Sequence, residues 1–170
     1  MIEKLLNLET LIAEILLKSS STLSLAESCT GGMLSHIVTS IPGSSAYYLG
    51  GVCSYAIAVK ESVLGVNGDI IEKKGVVSEE VAIEMAQGVK RLLKSDYSLS
   101  TTGLAGPGGD ELNPEGTVWM AVSGPKGTIS RKRILQGDRK SNIEGFSYEA
   151  LSFLYEYLKD TTEVQTTGQS

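Results

Sequence analysis

Ser28 and Cys29 are neighbouring nucleophile-capable side chains in Ala26-Glu27-Ser28-Cys29-Thr30-Gly31-Gly32, where an apolar segment turns into a helix. Leu23-Ser24-Leu25-Ala26 alternates as a short strand does, and Met33 to Val38 has helical spacing, so Ser28, Cys29 and Thr30 fall on the connecting turn. A helix start leaves backbone N–H groups without partners and carries partial positive charge. A phosphate, a carboxylate or a developing oxyanion is favoured there. A serine hydroxyl is a poor nucleophile at neutral pH and needs a base within hydrogen-bond reach. His36, the one histidine of the chain, lies on the order of 10 Å along the helix from the turn, which disfavours a Ser-His-Asp triad. Lys60 remains as a base. Its reference pKa of about 10.4 would have to fall by roughly three units, a cost of about 4 kcal/mol that a desolvated site can impose.

Each of these residues also has a plainer role. Ser28 could cap the helix, Cys29 could be a small buried hydrophobe, Lys60 could be solvated and Tyr55 could belong to the core. Gly103-Leu104-Ala105-Gly106-Pro107-Gly108-Gly109 lacks the Gly-Lys-Ser/Thr ending of a P-loop and is not a dinucleotide fingerprint. By itself it denotes a tight loop, and its place after a strand adds a phosphate cradle as an alternative. In Gly137-Asp138-Arg139, Asp138 can cap the last helix, and Arg139 can stay solvated or fork onto a phosphate.

The elements that must position these groups follow from hydrophobic period. The spacing predicts a helix over 2–19, a strand near 22–27, a helix from about Gly31 that stops before Pro42, and a turn at Pro42-Gly43-Ser44-Ser45. Tyr47 to Tyr55 reads as a strand with a glycine irregularity, and Lys60 to Leu64 as a short helix. Ser78 followed by Glu79 and Glu80 starts a helix whose buried stripe runs from Ala82 to Leu93. A strand over 97–103, a hairpin around Gly124-Pro125-Lys126-Gly127 and a helix over 141–159 complete the order, and the polar tail from Thr161 reads as disordered. The expected fold class is α/β: a single-domain three-layer α/β/α sandwich on a mixed, mostly parallel sheet, with the domain over 1–160. Ligands in such sheets bind at strand ends.

At 170 residues and 41% hydrophobic, the chain can bury one real core. A net charge of −5 provides no basic stripe for a nucleic-acid backbone, which points to a small-molecule ligand and no nucleic-acid partner. The charges among the N-terminal leucines exclude a signal peptide or a membrane span, and two cysteines with a single histidine argue for a reducing, cytoplasmic setting without structural metal.

Taken together, the Ala26 to Gly32 block, Pro42-Gly43-Ser44-Ser45, Tyr55 with Lys60, Gly75-Val76-Val77-Ser78-Glu79, the Gly103 to Gly109 loop, Gly116-Thr117-Val118-Trp119 and Gly137-Asp138-Arg139 resemble the CinA carboxy-terminal domain family, in order over about residues 5–159. The resemblance implies a nicotinamide mononucleotide amidohydrolase with a Ser/Lys pair, forming nicotinic acid mononucleotide and ammonia. It implies Ser28 as nucleophile, Lys60 as base, and Tyr55 as the group that orients the lysine. Backbone N–H groups of Cys29, Thr30 and Gly31 are expected to form the oxyanion hole. The 5′-phosphate is expected on main chain from Gly103 through Ala105 to Gly106, with Thr102 or Ser45 hydroxyls and Arg139 as further donors. No metal or organic cofactor is implied, and a homodimer is.

The chain departs from the family pattern at two places. Ser/Thr-Asn-x-x-Lys after the tyrosine becomes Ala56-Ile57-Ala58-Val59-Lys60, and a second arginine after Gly-Asp-Arg becomes Ile143. These departures keep a non-catalytic nucleotide-binding or partner-binding relative as the alternative. A Cys29-dependent hydrolase is a third reading.

Overall fold

β1 (Leu23–Glu27) is the strand around which the molecule is organised, because every one of its residues is buried. The computed structural model describes residues 2–167. β1 lies between β2 (Tyr48–Cys53) and β3 (Tyr97–Gly103), parallel to both, with Leu25 in register with Gly51 and Leu99. β4 (Thr117–Gly124) adds antiparallel to β3, and β5 (Gly127–Ile134) antiparallel to β4, giving the order β2-β1-β3-β4-β5. β4 thus runs against the other four strands, in a mixed sheet. Gly124 pairs with Gly127 at the predicted hairpin.

Helices cover both faces, as a sheet buried on both sides requires. On one face α1 (Ile2–Lys18), α2 (Met33–Thr39) and α6 (Arg139–Thr167) pack with Leu23, Leu25, Leu99 and Met120 into the main core. The other face carries α5 (Glu79–Leu93), with α3 (Ile57–Ser62) and α4 (Gly68–Lys74) beside it. Small residues let α5 lie close to the sheet: Ser98 and Ser100 donate to the α5 carbonyls of Ala86 and Ala82, each at 2.6 Å. Those bonds satisfy hydroxyls that would otherwise be costly to bury. Ser78 caps α5 as its sequence indicates, accepting from the Val81 N–H.

Three elements differ from expectation. α3 begins earlier than the expected Lys60 to Leu64 helix, running over Ile57–Ser62 so that Lys60 lies in its last turn. α4 has too few apolar positions for a period to show. Its signal is local, an Asn67 side chain accepting from the Asp69 N–H. The last helix does not stop at 159: α6 continues to Thr167, and Thr161 is buried rather than disordered. The Thr161 and Thr162 hydroxyls donate back to the carbonyls of Tyr157 and Leu158 (2.9 and 3.1 Å), so both polar groups are satisfied within the helix itself. Residues 168–170 of the expected tail lie outside the described residues. Among the described residues no helix is long and apolar enough to cross a membrane.

Candidate active site

The carboxyl ends of β2, β1 and β3 deliver Ser54, Ser28 and Gly103 to one edge of the sheet. The chain leaves β1 toward α2 on one face and leaves β2 toward α3 and α5 on the other, so β1 stands at a topological switch point. A cleft of about 260 Å³ opens there, lined by Ser28, Cys29, Lys60, the Thr102–Gly108 segment and Arg139.

Lys60 reaches into the base of this cleft from α3 with only 1% of its surface exposed. Its Nζ lies 2.9 Å from Ser28 Oγ, 2.5 Å from the Ser54 carbonyl oxygen and 3.4 Å from that of Tyr55. Burial disfavours the ammonium and lowers the Lys60 pKa to about 8. The neutral amine can donate its two N–H bonds to the two carbonyls and present its lone pair to the Ser28 O–H. Ser28 itself is 8% exposed, and its N–H donates to the Thr101 carbonyl at 3.0 Å, fixing the turn to β3.

Glu27, the last residue of β1, takes the helix N-terminus that the sequence offered to a ligand. Its buried carboxylate accepts from the N–H groups of Gly32, Leu34 and Ser35 (3.1, 3.0 and 2.8 Å) and from the hydroxyls of Thr30 and Ser35, both at 2.7 Å. An internal anion therefore completes the first turn of α2. Gly32 closes the turn at φ 102°, a conformation open to glycine. Capping thus falls to Glu27, and the Ser28 hydroxyl is left free for Lys60.

The CinA C-terminal domain pattern matches residues 5–158. The chain belongs to the CinA C-terminal domain family. It is 49% identical over 125 residues to a CinA-like protein of Nostoc, covering 73% of this chain and 30% of that one, and 40% identical over 161 residues to a CinA-like protein of Geotalea uraniireducens, covering 94% and 38%. The chain spans about a third of the length of these curated relatives. Among solved structures it is similar to the competence damage-inducible protein A of Klebsiella pneumoniae, with a TM-score of 0.87 at 31% identity, covering 89% of this chain and 95% of that one. A CinA superfamily protein of Enterobacter cloacae superposes at a TM-score of 0.88 with 29% identity, covering 91% and 92%.

The CinA fold gathers most, but not all, of the residues singled out in the sequence. Cys29 lines the cleft, and its N–H meets no backbone carbonyl among the described residues, only its own sulfur. Its thiol is pushed up to about 12 by burial, so it stays protonated at neutral pH. Thr30 is buried with its hydroxyl shared between Glu27 and Thr101, and the Gly31 N–H donates to the Ser28 carbonyl at 3.1 Å. The Gly31 N–H is thus spent within the turn, and neither Thr30 nor Gly31 lines the cleft. Thr102 lines the cleft while its hydroxyl donates to the Val76 carbonyl at 2.9 Å. Gly103 packs so tightly that a Cβ there would sit 2.6 Å from the Thr117 carbonyl oxygen and 3.1 Å from Cys29 Sγ. The Ala105 and Gly106 N–H groups have no acceptor among the described residues.

Ser45 also lies away from the cleft. It is exposed in the 3-10 turn Ser44–Ala46 that precedes β2, whereas the cleft lies beyond the far end of that strand. At about 3.3 Å per residue the strand puts roughly 15–20 Å between the two ends. The Tyr55 phenol is also differently placed. Its side chain is 64% exposed and accepts from Arg139 Nη2 at 3.0 Å, so Lys60 is held by the Ser54 and Tyr55 carbonyls and not by the phenol. Arg139 Nη1 donates to the Gly106 carbonyl at 2.5 Å, and the guanidinium thereby bridges the two walls of the cleft. Ile57 lines the cleft with 47% exposure, while Ile143 packs against the main core instead.

Besides Glu27, four contributors were not legible beforehand. Ser54 acts through its carbonyl, which any residue type provides, so no side-chain signal marks it. Val76 and Val77 form an apolar wall of the cleft from the segment before α5, where the sequence reading saw only a motif block. Asn142 is buried in the first turns of α6, and its side chain donates to the Ala105 carbonyl. A buried asparagine on a helix face is the one signal that could have exposed it.

Proposed function

We propose that this domain is a serine amidohydrolase that converts nicotinamide mononucleotide and water to nicotinic acid mononucleotide and ammonia. The observation that carries the reading is the buried Lys60 amine 2.9 Å from the Ser28 hydroxyl, with its pKa lowered to about 8. At pH 7 such a group is roughly one-tenth neutral, against roughly one part in three thousand for an unperturbed lysine.

Ser28 Oγ attacks the carboxamide carbon as its proton passes to Lys60 Nζ, forming a tetrahedral intermediate whose oxyanion is met by the Cys29 N–H. The intermediate collapses by breaking the C–N bond, and the Lys60 ammonium returns the proton to the departing ammonia. A water molecule then gives a proton to Lys60 and attacks the Ser28 ester. Cleavage of the C–Oγ bond, with return of the proton to Ser28, restores the enzyme and releases the acid. A base positioned in this way contributes about 10²–10⁴-fold to the rate.

The wall of Ile57, Val76 and Val77 offers a surface for the flat face of the pyridinium ring. The free N–H groups of Ala105 and Gly106 and the unused N–H groups of Arg139 suit the 5′-phosphate. Every proton in this scheme moves between Ser28, Lys60, water and substrate.

Incubation of the purified protein with nicotinamide mononucleotide tests the reading by ammonia release, with Ser28→Ala as control. Release that depends on Ser28 supports it. Saturable binding without ammonia would instead favour a non-catalytic nucleotide-binding protein.

A further inference from the structure

We infer that Asn142 is a positioning residue for the nucleotide end of the cleft, acting through Arg139 and the Ala105–Gly106 turn. The inference rests on the proposed function. Asn142 is 1% exposed and uses its amide on the main chain of two segments distant in sequence. Its Nδ2 donates to the Ala105 carbonyl at 3.0 Å and to the Gly137 carbonyl at 2.9 Å, while its Oδ1 accepts from the Gly137 N–H at 2.9 Å. Gly137 leads directly into Asp138 and Arg139, and Ala105 directly precedes Gly106.

A closed ring results, in which Asn142 holds Ala105 to Gly137 and the Arg139 guanidinium holds Gly106 from the other side. Arg139 is an exposed, long side chain, and its own contacts are one carbonyl and one phenol. The buried amide fixes the backbone from which that side chain starts and the turn on which it lands. Both ends of the phosphate-holding set thus depend on one uncharged side chain. Carrying no titratable group, Asn142 leaves the Lys60 proton equilibrium alone. Its influence belongs to nucleotide affinity and not to the chemical step.

The test compares Asn142→Ala with the parent in two readouts. On a Ser28→Ala background, calorimetry with nicotinamide mononucleotide should show Kd raised at least tenfold by Asn142→Ala. On an Arg139→Ala, Ser28→Ala background the same change should cost clearly less than it does with Arg139 present, the remainder being the part carried by the Ala105–Gly106 turn. With Ser28 present, kcat should stay within threefold, KM should rise with the Kd, and the pH midpoint near 8 should not move. Asn142→Asp, which keeps the shape but turns oxygens toward both carbonyls, should reproduce the affinity loss and serves if Asn142→Ala fails to fold. An affinity within twofold of the parent, a fully additive effect with Arg139→Ala, or a fall in kcat at constant KM would overturn the inference. Binding without ammonia from the unmodified protein would remove the amidohydrolase reading alone, and the Kd comparison then decides Asn142 by itself. Absence of nucleotide binding by the unmodified protein would overturn both.

Discussion

Glu27 occupies the N-terminal amides of α2 and so leaves the adjacent Ser28 hydroxyl to Lys60. The two residues are neighbours in sequence with opposite duties: the carboxylate accepts five hydrogen bonds from the turn and helix, while the hydroxyl meets a buried amine at 2.9 Å. A serine that capped the helix itself would point its oxygen at backbone N–H groups and away from the cleft.

Glu27→Gln keeps the shape and removes the charge, and its amide nitrogen must face N–H donors. Charge-assisted bonds are worth roughly 1.5–3 kcal/mol each, so a net loss of about 2–4 kcal/mol and a Tm lower by roughly 5–10 °C are expected. Thermal unfolding followed by circular dichroism checks this. An unchanged Tm would show that the cap does not hold the turn.

Lys60 should leave a pH signature on stability. Its pKa is about 8 in the folded protein and about 10.4 when unfolded. Between these values the unfolded chain binds more protons, so the contribution of Lys60 to stability rises with pH across that window. Below pH 8 both states are protonated, and the buried ammonium is destabilising throughout. Lys60→Met abolishes this dependence. The Tm of the parent minus that of the variant should therefore increase between pH 8 and 10, and a flat difference would contradict a depressed Lys60.

Thiol reagents should distinguish the two cysteines without touching catalysis. Cys53 is exposed, whereas Cys29 is buried with its pKa pushed up to about 12. Iodoacetamide at pH 8 should label Cys53 and spare Cys29, as read by peptide mass spectrometry, and ammonia release should be unaffected. Inactivation that follows modification of Cys29 would revive a thiol mechanism.

Tyr55→Phe removes the phenol that bridges to Arg139 and leaves both carbonyls on Lys60 in place. The expected result is kcat within about threefold of the parent and a KM raised by roughly two- to tenfold, the worth of one hydrogen bond to a charged group at an exposed site. A hundredfold loss of kcat would mean that the phenol enters the chemistry.

The three-layer fold and the strand ends were legible because strand and helix periods, the Ser78 cap and the Gly124–Gly127 hairpin are local signals. Ser28, Lys60 and the glycine loop came from motif spacing. Glu27 was passed over because a glutamate at the end of a strand carries no sign of which amides it will meet. Ser45 was misplaced for the opposite reason: a motif position says nothing about which end of a strand faces the cleft. Ser54 and Asn142 contribute through main chain or bind main chain, and such bonds are specified by tertiary placement.

Trapping the acyl-enzyme tests the Ser28–Lys60 pair most directly. Nicotinamide mononucleotide mixed with the protein and quenched in acid should yield a Ser28-containing peptide carrying the nicotinoyl nucleotide as an ester. Its formation rate should rise with pH toward a plateau above about 8 and fall by about 10²-fold or more in Lys60→Met. Full-rate acylation in Lys60→Met, or acyl groups found on Cys29 instead, would contradict the pairing of that amine with that hydroxyl.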